Sequence, residues 1–266
     1  MGIWVATPLL VVKCGTTSPA VRVGHGDYDR WFLRALAPAG AALRVVEVHA
    51  GVPLPRDGGG VRGDEGRFRG IVVTGSPSSV TERAPWMLRT AAWLRDRAER
   101  GVPVLGVCFG HQLLAEAFGG RVARSPRGRE IGSVSCDLTA AGLSDPLFAG
   151  VPGRFDVLAT HEDEVVELPP SAVLLATSGG CRVQAFAVGP NVRCVQFHPE
   201  LDPGTLAALV ASRAGALAGE ARARGEDGDA AVARIRAGLR AAPAGPRILA
   251  NFVAATPPPG ASARRA

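Results

Sequence analysis

The sequence contains almost no lysine and almost no tyrosine. Lys13 is the only lysine among 30 basic residues, and Tyr28 is the only tyrosine in a chain of 266 residues. The net charge of +6 is therefore carried by arginines, which are dispersed and interleaved with 24 acidic residues. A nucleic-acid-binding face requires clustered basic and aromatic side chains, and the sequence has no such cluster. This composition argues against nucleic acid as a partner.

The cysteines are few, odd in number and not spaced as pairs. There are five, and no two form a C-x-x-C pair. Structural zinc sites and the disulfide frameworks of secreted domains both require such patterns. We therefore expect no metal site, and we expect a reduced, cytoplasmic setting. Four of the cysteines are interpreted as small apolar core residues: Cys14, Cys136, Cys181 and Cys194.

Hydrophobic runs long enough for a membrane are also missing. The apolar run near the amino terminus, Ile3 to Val12, contains Pro8 and follows no charged segment. It is too short to cross a bilayer. We therefore predict no membrane-spanning segment and no membrane partner, and we interpret the second half of this run as a buried strand.

What the chain does contain is an alternation of strand and helix patterns. Helices are predicted after Asp27, which can cap one, and from Pro85, which fits a first helical turn. Loops are predicted at 14–26 and at 49–69. Such alternation is typical of an α/β fold with a mostly parallel sheet flanked by helices. Four strands are predicted in this half: Leu9–Lys13, Leu43–Val48, Gly70–Thr74 and Val102–Val107.

The pattern changes after residue 120. Short apolar runs follow one another with turn residues between them, which predicts antiparallel strands added to one end of the sheet. The runs are Ile131–Leu138, Phe155–Thr160, Val173–Ala176, Gln184–Val188 and Arg193–Phe197. Helices are then predicted from Pro203, at 230–240 and at 246–254, with a solvated break at 219–229.

These elements predict one domain over residues 1–255. Its core is expected over residues 8–210, and a helical extension is expected over residues 203–255. Residues 256–266 contain three consecutive prolines and end in two arginines before the final alanine. We predict that this tail is disordered.

The most informative motif is G-x-C-x-G at residues 106–110. A strand pattern runs into the motif and a helical pattern runs out of it. A nucleophile on a sharp strand-to-helix turn needs glycine on both sides, because neighbouring backbone comes close. The helix start also favours a thiolate, through its unpaired N–H groups and its dipole. We predict that Cys108 is a nucleophile, and the alternative is a buried structural cysteine.

A thiol nucleophile needs a base, and the sequence has five histidines. His198 is our first candidate, because it ends an apolar strand and Glu200 follows two residues later. That carboxylate can hold the imidazole in the tautomer that faces the sulfur. The rival is His161, expected on a loop near the mouth of the site. The remaining histidines are not candidates: His25, His49 and His111.

The negative charge that develops on an attacked carbonyl needs hydrogen-bond donors. The turn places the N–H of Phe109, directly after Cys108, in that role. A second donor is expected from the loop that ends the third predicted strand, at Gly75 and Ser76. Taken alone, this loop has the composition of an ordinary turn.

Three segments, in this order along the chain, resemble the class I (triad) glutamine amidotransferase family. Residues 74–80 (TGSPSSV) resemble its oxyanion loop. Residues 106–112 (GVCFGHQ) resemble its nucleophile motif and residues 196–200 (QFHPE) its histidine–glutamate motif. The resemblance covers about residues 8–210, and it implies a flavodoxin-like α/β fold.

The resemblance also implies roles for individual residues. These are a triad of Cys108, His198 and Glu200, oxyanion donors in Phe109 and in the Gly75–Ser76 loop, and a γ-glutamyl contact at Gln112. The family's loop usually has two glycines before the proline, and the second is Ser76 here. A non-glycine residue at that position can be strained. No metal or organic cofactor is implied.

The implied chemistry is hydrolysis of the side-chain amide of glutamine through a γ-glutamyl thioester, with release of ammonia. The chain most resembles stand-alone members similar to the glutaminase part of GMP synthetase, and some relatives in that branch cleave γ-glutamyl peptides. Because no phosphate-binding loop is present, we expect no attached synthetase domain. The protein would then either supply ammonia to a separate synthase subunit or hydrolyse γ-glutamyl peptides or conjugates. A non-catalytic regulatory protein of the same fold is the third alternative.

Overall fold

The computed structural model describes residues 7–55 and 68–256. Strands account for most of the architecture of these residues. In chain order they are Leu9–Lys13 (β1), Leu43–Glu47 (β2), Gly70–Val73 (β3), Val104–Val107 (β4), Arg121–Arg124 (β5), Glu130–Leu138 (β6), Arg154–His161 (β7), Asp163–Glu167 (β8), Ala172–Ser178 (β9), Ala185–Val188 (β10) and Val192–Val195 (β11).

Nine of the described strands form one mixed sheet in the order β2-β1-β3-β4-β11-β10-β9-β6-β7. The first five of these strands are parallel to one another. From β11 onward each neighbouring pair is antiparallel. The predicted arrangement, a parallel sheet with antiparallel strands added at one end, is confirmed. Strands β5 and β8 pair separately as a two-stranded sheet.

The helices flank this sheet. Pro19, Pro85 and Pro203 each occupy a first-turn position, where a missing N–H costs nothing. Asp27 and Asp202 accept hydrogen bonds from the first backbone N–H groups of the helices they precede. The helices are Pro19–His25 (α1), Tyr28–Leu36 (α2), Pro85–Glu99 (α3), Phe109–Ala117 (α4), Ala140–Ser144 (α5), Pro203–Ser212 (α6), Ala214–Ala223 (α7), Gly228–Ala237 (α8) and Ala244–Ala255 (α9).

Two apolar cores lie on opposite faces of the sheet, because successive side chains of a strand point to opposite sides. In β1, Leu9 belongs to the core that α2 and α9 cover, whereas Leu10 and Val12 belong to the core that α3 and α4 cover. Both faces of the parallel strands are therefore buried, as their continuous apolar sequences indicate.

Three local predictions were wrong. The predicted loop at 14–26 contains α1, a short helix in which only Val21 is buried, so its sequence shows no apolar periodicity. The predicted break at 219–229 is shorter, because α7 continues to Ala223 and buries small alanine side chains that carry little hydrophobic signal. The strands β5 and β8 were not predicted, since β5 has one buried residue in four.

The carboxyl-terminal helices pack against the rest of the described chain. Ile248, Leu249 and Phe252 of α9 enter the same core as Leu9 of β1. Thr256, which we assigned to the tail, is buried and donates a hydrogen bond to the carbonyl of Val253. The rest of the predicted disordered tail, residues 257–266, and the glycine-rich part of the predicted 49–69 loop lie outside the described residues. No helix within the described ranges has the length and apolar character needed to cross a bilayer.

Candidate active site

Cys108 lies on the sharp turn that joins β4 to α4. Its backbone adopts φ = 53° and ψ = −103°, which is unfavourable for a residue with a β-carbon and costs about 1–3 kcal/mol. Strain of this kind is a property of nucleophile turns between a strand and a helix. The residue is 7% exposed, so the thiol is reached only from one direction.

Close packing explains the two glycines of the motif. A β-carbon on Gly106 would lie 2.6 Å from the carbonyl oxygen of Gly110. One on Gly110 would lie 2.5 Å from the carbonyl oxygen of Val73. Both atoms belong to the backbone and cannot rotate away. The expectation that the turn needs glycine on both sides of Cys108 is confirmed.

Glu200 holds the imidazole of His198. The Nδ1–H of His198 donates to Oε1 of Glu200 at 2.7 Å, and both side chains are buried. Because an ionised carboxylate only accepts, this bond fixes a proton on Nδ1 and leaves Nε2 to face the rest of the site. Nε2 has no hydrogen-bond partner among the described residues.

Strand order brings the two motifs to one edge of the sheet. β11 runs parallel beside β4, with Cys194 opposite Gly106. The N–H of Cys108 donates to the carbonyl of Val195 at 2.9 Å. His198 follows three residues after that strand ends. The carboxyl ends of adjacent parallel strands thus supply both candidate residues, although 90 residues separate them in sequence.

The electrostatics of His198 reflect both neighbours. Burial lowers the pKa of the imidazole, but the charges of Glu200 and Cys108 raise it, and the net result is a pKa above the ordinary value. Nε2 makes no hydrogen bond to any described residue, so the sulfur acts on this pKa through its charge. A positively charged His198 stabilises a negatively charged sulfur.

Both expected oxyanion donors belong to residues that line one cavity, Phe109 and Ser76. Phe109 is the first residue of α4, and a first-turn N–H has no partner within its helix. The N–H of Ser76 also makes no hydrogen bond to any described residue. Ser76 is not at positive φ, so the strain that we expected from the missing glycine does not arise there. Gly75 instead contacts the imidazole, since a β-carbon on it would lie 3.0 Å from Cε1 of His198.

Gln112 lies at the start of α4 and faces the cavity beside Cys108. Its Nε2 donates to the carbonyl of Asp163 at 2.9 Å and to Oε1 of Gln196 at 3.1 Å. Both amide hydrogens are therefore used, which fixes the orientation of the side chain. The amide oxygen of Gln112 remains as an acceptor toward the cavity.

The cavity has a volume of about 520 Å³, within the range of sites that bind ligands of drug size. Phe109 and Gln112 form its inner wall, and Ser76 to Ser79 form one side. The thiol of Cys108 points to the carbonyl of Thr160, a lining residue, with a sulfur–oxygen distance of 3.9 Å. The charged lining residues are Glu82, Arg124, Arg129, Glu162, Asp163 and Arg213.

Comparison with known proteins shows the family of the chain. The sequence model of the family "Glutamine amidotransferase class-I" matches residues 25–213, which is more than half of the chain. The protein belongs to the class I glutamine amidotransferase family. All three motifs of the sequence analysis lie within the matched range.

The relatives of the chain include two kinds of protein. "Gamma-glutamyl peptidase 3" of Arabidopsis thaliana is 34% identical over 152 residues, which are 55% of this chain and 60% of the relative. One subunit of the glutamine-hydrolysing GMP synthase of Saccharolobus solfataricus is 32% identical over 177 residues, 66% of this chain and 85% of the relative. The match covers 60%, 54% and 25% of the lengths of three curated relatives.

Solved structures share the fold. A glutamine amidotransferase from Methylobacillus flagellatus superposes with a TM-score of 0.69 at 21% identity, covering 98% of this chain and 99% of the other. A glutamine amidotransferase from Thermotoga maritima gives a TM-score of 0.68 at 19% identity, covering 93% and 96%. The predicted α/β fold class is confirmed.

His161, the rival candidate for the base, is placed differently from our expectation. It ends β7 rather than lying on a loop, and it is buried. Its Nε2 lies 2.9 Å from Oε2 of Glu130, and its Nδ1 lies 2.9 Å from the carbonyl oxygen of Asp163. Because both ring nitrogens are engaged, neither is available to the sulfur of Cys108.

The other histidines and cysteines lie outside the site chemistry. Burial lowers the pKa of His111 to about 3, so its ring stays neutral against Phe186. His49 bonds to the hydroxyl of Thr16 and to a backbone carbonyl. Burial raises the pKa of four thiols far above the ordinary value, as expected for core residues: Cys14, Cys136, Cys181 and Cys194.

Sequence reasoning missed three residues that border the cavity or the triad. Thr160 and Arg213 line the cavity and bond to each other, with Nη1 of Arg213 donating to Oγ1 of Thr160 at 2.7 Å. Tyr28 was assigned only to a helix, but a β-carbon on Gly75 would lie 3.0 Å from its ring. No local pattern marks Arg213, because arginines are dispersed along the whole chain. The position of Tyr28 depends on how α2 packs.

Proposed function

We propose that this protein hydrolyses γ-glutamyl amide bonds, with Cys108 as nucleophile, His198 as proton carrier and Glu200 as the residue that orients His198. The observation that carries the proposal is the strained backbone of Cys108 beside an imidazole whose Nδ1 is bound by Glu200. That arrangement matches the role geometry of a cysteine–histidine–carboxylate nucleophile.

In the first half of the reaction, the thiolate of Cys108 attacks the γ-carbonyl carbon. The carbonyl π electrons move to oxygen, and the N–H groups of Phe109 and Ser76 receive that negative charge. The C–N bond then breaks while Nε2–H of His198 gives its proton to the departing nitrogen. The products of this half are an amine, or ammonia, and a γ-glutamyl thioester on Cys108.

In the second half, the now neutral Nε2 of His198 takes a proton from water as the water oxygen attacks the thioester carbonyl. The C–S bond breaks, and the sulfur leaves as thiolate beside the reprotonated imidazole. Glutamate departs, and the site returns to its starting charge. Glu200 keeps its bond to Nδ1 throughout, which keeps Nε2 directed at the sulfur.

Glutamine is the first candidate substrate, and Gln112 would contact its γ-glutamyl part. In that case the ammonia passes to an acceptor on a separate synthase protein, which the relative from a glutamine-hydrolysing GMP synthase supports. The second candidate is a γ-glutamyl peptide or conjugate. It is supported by the relative named gamma-glutamyl peptidase and by a cavity of about 520 Å³, which has room beyond a single amino acid.

A side-by-side assay of the isolated chain tests the proposal. Ammonia release from glutamine and amino-acid release from a set of γ-glutamyl dipeptides are measured for the wild type and for Cys108→Ala. We expect turnover of at least one substrate by the wild type and none by the variant. Wild-type rates in Cys108→Ala would contradict the mechanism. The ratio of the two wild-type activities decides between glutamine and peptide.

A further inference from the structure

Arg213 differs from the other two arginines of the cavity, because they form ion pairs with carboxylates of the described residues. Arg124 pairs with Glu162 at 2.9 Å, and Arg129 pairs with both Glu162 and Glu220. Arg213 makes no ion pair with any described residue, and its side chain makes one hydrogen bond, to the hydroxyl of Thr160. A guanidinium presents five N–H donors in a planar fork. Most of the donors of Arg213 are therefore free to bind an anion.

The backbone holds Arg213 in place. It lies between α6 and α7, where its N–H donates to the carbonyl of Leu209 at 3.2 Å and its carbonyl accepts from the N–H of Leu217 at 3.0 Å. The residue is half-buried and lines the cavity. Its hydrogen-bond partner, Thr160, is also the residue whose carbonyl faces the Cys108 sulfur. Thr160 therefore contacts both the guanidinium of Arg213 and the sulfur of the candidate nucleophile.

The charge of Arg213 and the charges of the triad act on one side chain, that of Tyr28. Burial raises the pKa of Tyr28, the charges of Cys108 and Glu200 add to this, and the charge of Arg213 opposes it. Tyr28 is thus within electrostatic reach of both the triad and Arg213. Its ring in turn contacts Gly75 of the oxyanion loop.

Asp163 and Gln112 form a hydrogen-bonded wall of the cavity. The carboxylate of Asp163 accepts from the hydroxyl of Ser79, and the carbonyl of the same residue accepts from Gln112. Under the proposed function, this wall receives the γ-glutamyl part, whose α-amino group is cationic. Arg213 bonds to Thr160 instead, so under the same proposal the Thr160 side of the cavity is assigned to the part of the substrate beyond the scissile amide.

We infer that Arg213 binds a free carboxylate on the leaving group of the substrate, which makes a γ-glutamyl peptide with an unblocked carboxyl terminus the preferred substrate class. This inference rests on the proposed γ-glutamyl hydrolysis at Cys108. Glutamine has no such carboxylate, because its leaving group is ammonia. Arginine is suited to this contact, since its fork matches a carboxylate with two parallel hydrogen bonds.

The test compares kcat/KM for three substrates: glutamine, a γ-glutamyl dipeptide, and the same dipeptide with its carboxyl terminus as an amide. A charge-assisted hydrogen bond corresponds to about 10- to 100-fold in kcat/KM. We expect the wild type to prefer the free dipeptide over its amide by that factor. In Arg213→Gln the preference falls to about 1, and Arg213→Lys, which keeps a charge but not the fork, retains part of it.

Arg124→Gln is the matched control. It removes the same unit of charge from the same cavity, but its arginine is already paired with Glu162, so we expect the wild-type preference for the free dipeptide to persist. Equal losses for all three substrates in Arg213→Gln would overturn the inference, and so would a wild-type preference near 1 or turnover of glutamine alone. Failure of the proposed function is distinct, because Cys108→Ala would then retain activity.

Discussion

The α-carbon of Gly75 lies against the imidazole of His198, so closely that a β-carbon at residue 75 would stand 3.0 Å from Cε1 of the ring. The same β-carbon would stand 3.0 Å from the ring of Tyr28. The rings of His198 and Tyr28 therefore both pack against Gly75. The loop proposed to supply an oxyanion donor therefore also packs against the candidate base.

Replacing Gly75 with alanine tests this relationship. We expect Gly75→Ala to lower kcat by about 100-fold, because a displacement of about 1 Å in a reacting group has an effect of that size. The control is Gly179→Ala, whose added methyl meets open space and leaves kcat at the wild-type value. Steady-state kinetics of both variants checks this. A fully active Gly75→Ala would mean that the imidazole is not the group that the loop positions.

The two buried histidines beside the cavity are distinguished by substitution. His198→Asn removes the proton carrier, and we expect kcat to fall by about 10²- to 10⁴-fold. His161→Asn disturbs the bond to Glu130 but leaves the sulfur and its neighbour in place, so activity falls far less. Single-turnover rates of thioester formation compare the two directly. If His161→Asn were the inactive variant, the base would be His161.

The pH profile follows from the raised pKa of His198. The protonated ring is the acid for the departing nitrogen, so kcat/KM falls on the alkaline side as that proton is lost. With the pKa above its ordinary value of about 6.5, this fall begins above neutral pH. Glu200→Gln removes the charge that helps to raise the pKa, and we expect the alkaline limb to move to lower pH by about one unit. Profiles of kcat/KM against pH for the wild type and Glu200→Gln test this. An alkaline limb at the same pH in both proteins would show that Glu200 does not raise the pKa of His198.

The single lysine has a structural role. Nζ of Lys13 lies 3.0 Å from Asp27 and 3.1 Å from Asp29, in a buried cluster. Lys13→Met leaves Asp27 buried without its cation, and we expect a loss of about 3–5 kcal/mol in the free energy of unfolding.

Urea unfolding measures that loss as a change in midpoint. The control is Arg95→Met, which breaks an exposed pair with Glu99 on one helix face and should cost about 0.5 kcal/mol or less. Equal effects of the two variants would contradict a stabilising role for the Lys13 cluster.

Much of the fold was predictable because its signals are local. The strand β1 is five consecutive buried residues, and Asp27 caps α2 where a capping residue precedes apolar residues at helical spacing. The helix α1 and the last residues of α7 escaped prediction for a physical reason. Only Val21 is buried in α1, and only Ala221 is buried in the part of α7 beyond residue 218, so tertiary packing rather than sequence periodicity fixes them.

The candidate site divides in the same way. Cys108 and His198 were predictable because neighbouring residues constrain the backbone there. Glycines flank Cys108 on both sides, and a proline follows His198. Arg213 and Tyr28 have no such signal, because Tyr28 reaches the site from α2 and Arg213 from the junction between α6 and α7. Residues of this kind become visible only when strand order and helix docking are known.

Trapping the covalent intermediate is the most direct test of cysteine catalysis in this protein. The wild type is mixed with a γ-glutamyl substrate, quenched in acid during turnover, digested and analysed by mass spectrometry. We expect one γ-glutamyl group, attached to the peptide that contains Cys108. We expect none on the other four cysteines, because burial raises the pKa of their thiols: Cys14, Cys136, Cys181 and Cys194. Turnover with Cys108 unmodified, or with the γ-glutamyl group on another residue, would contradict the central claim.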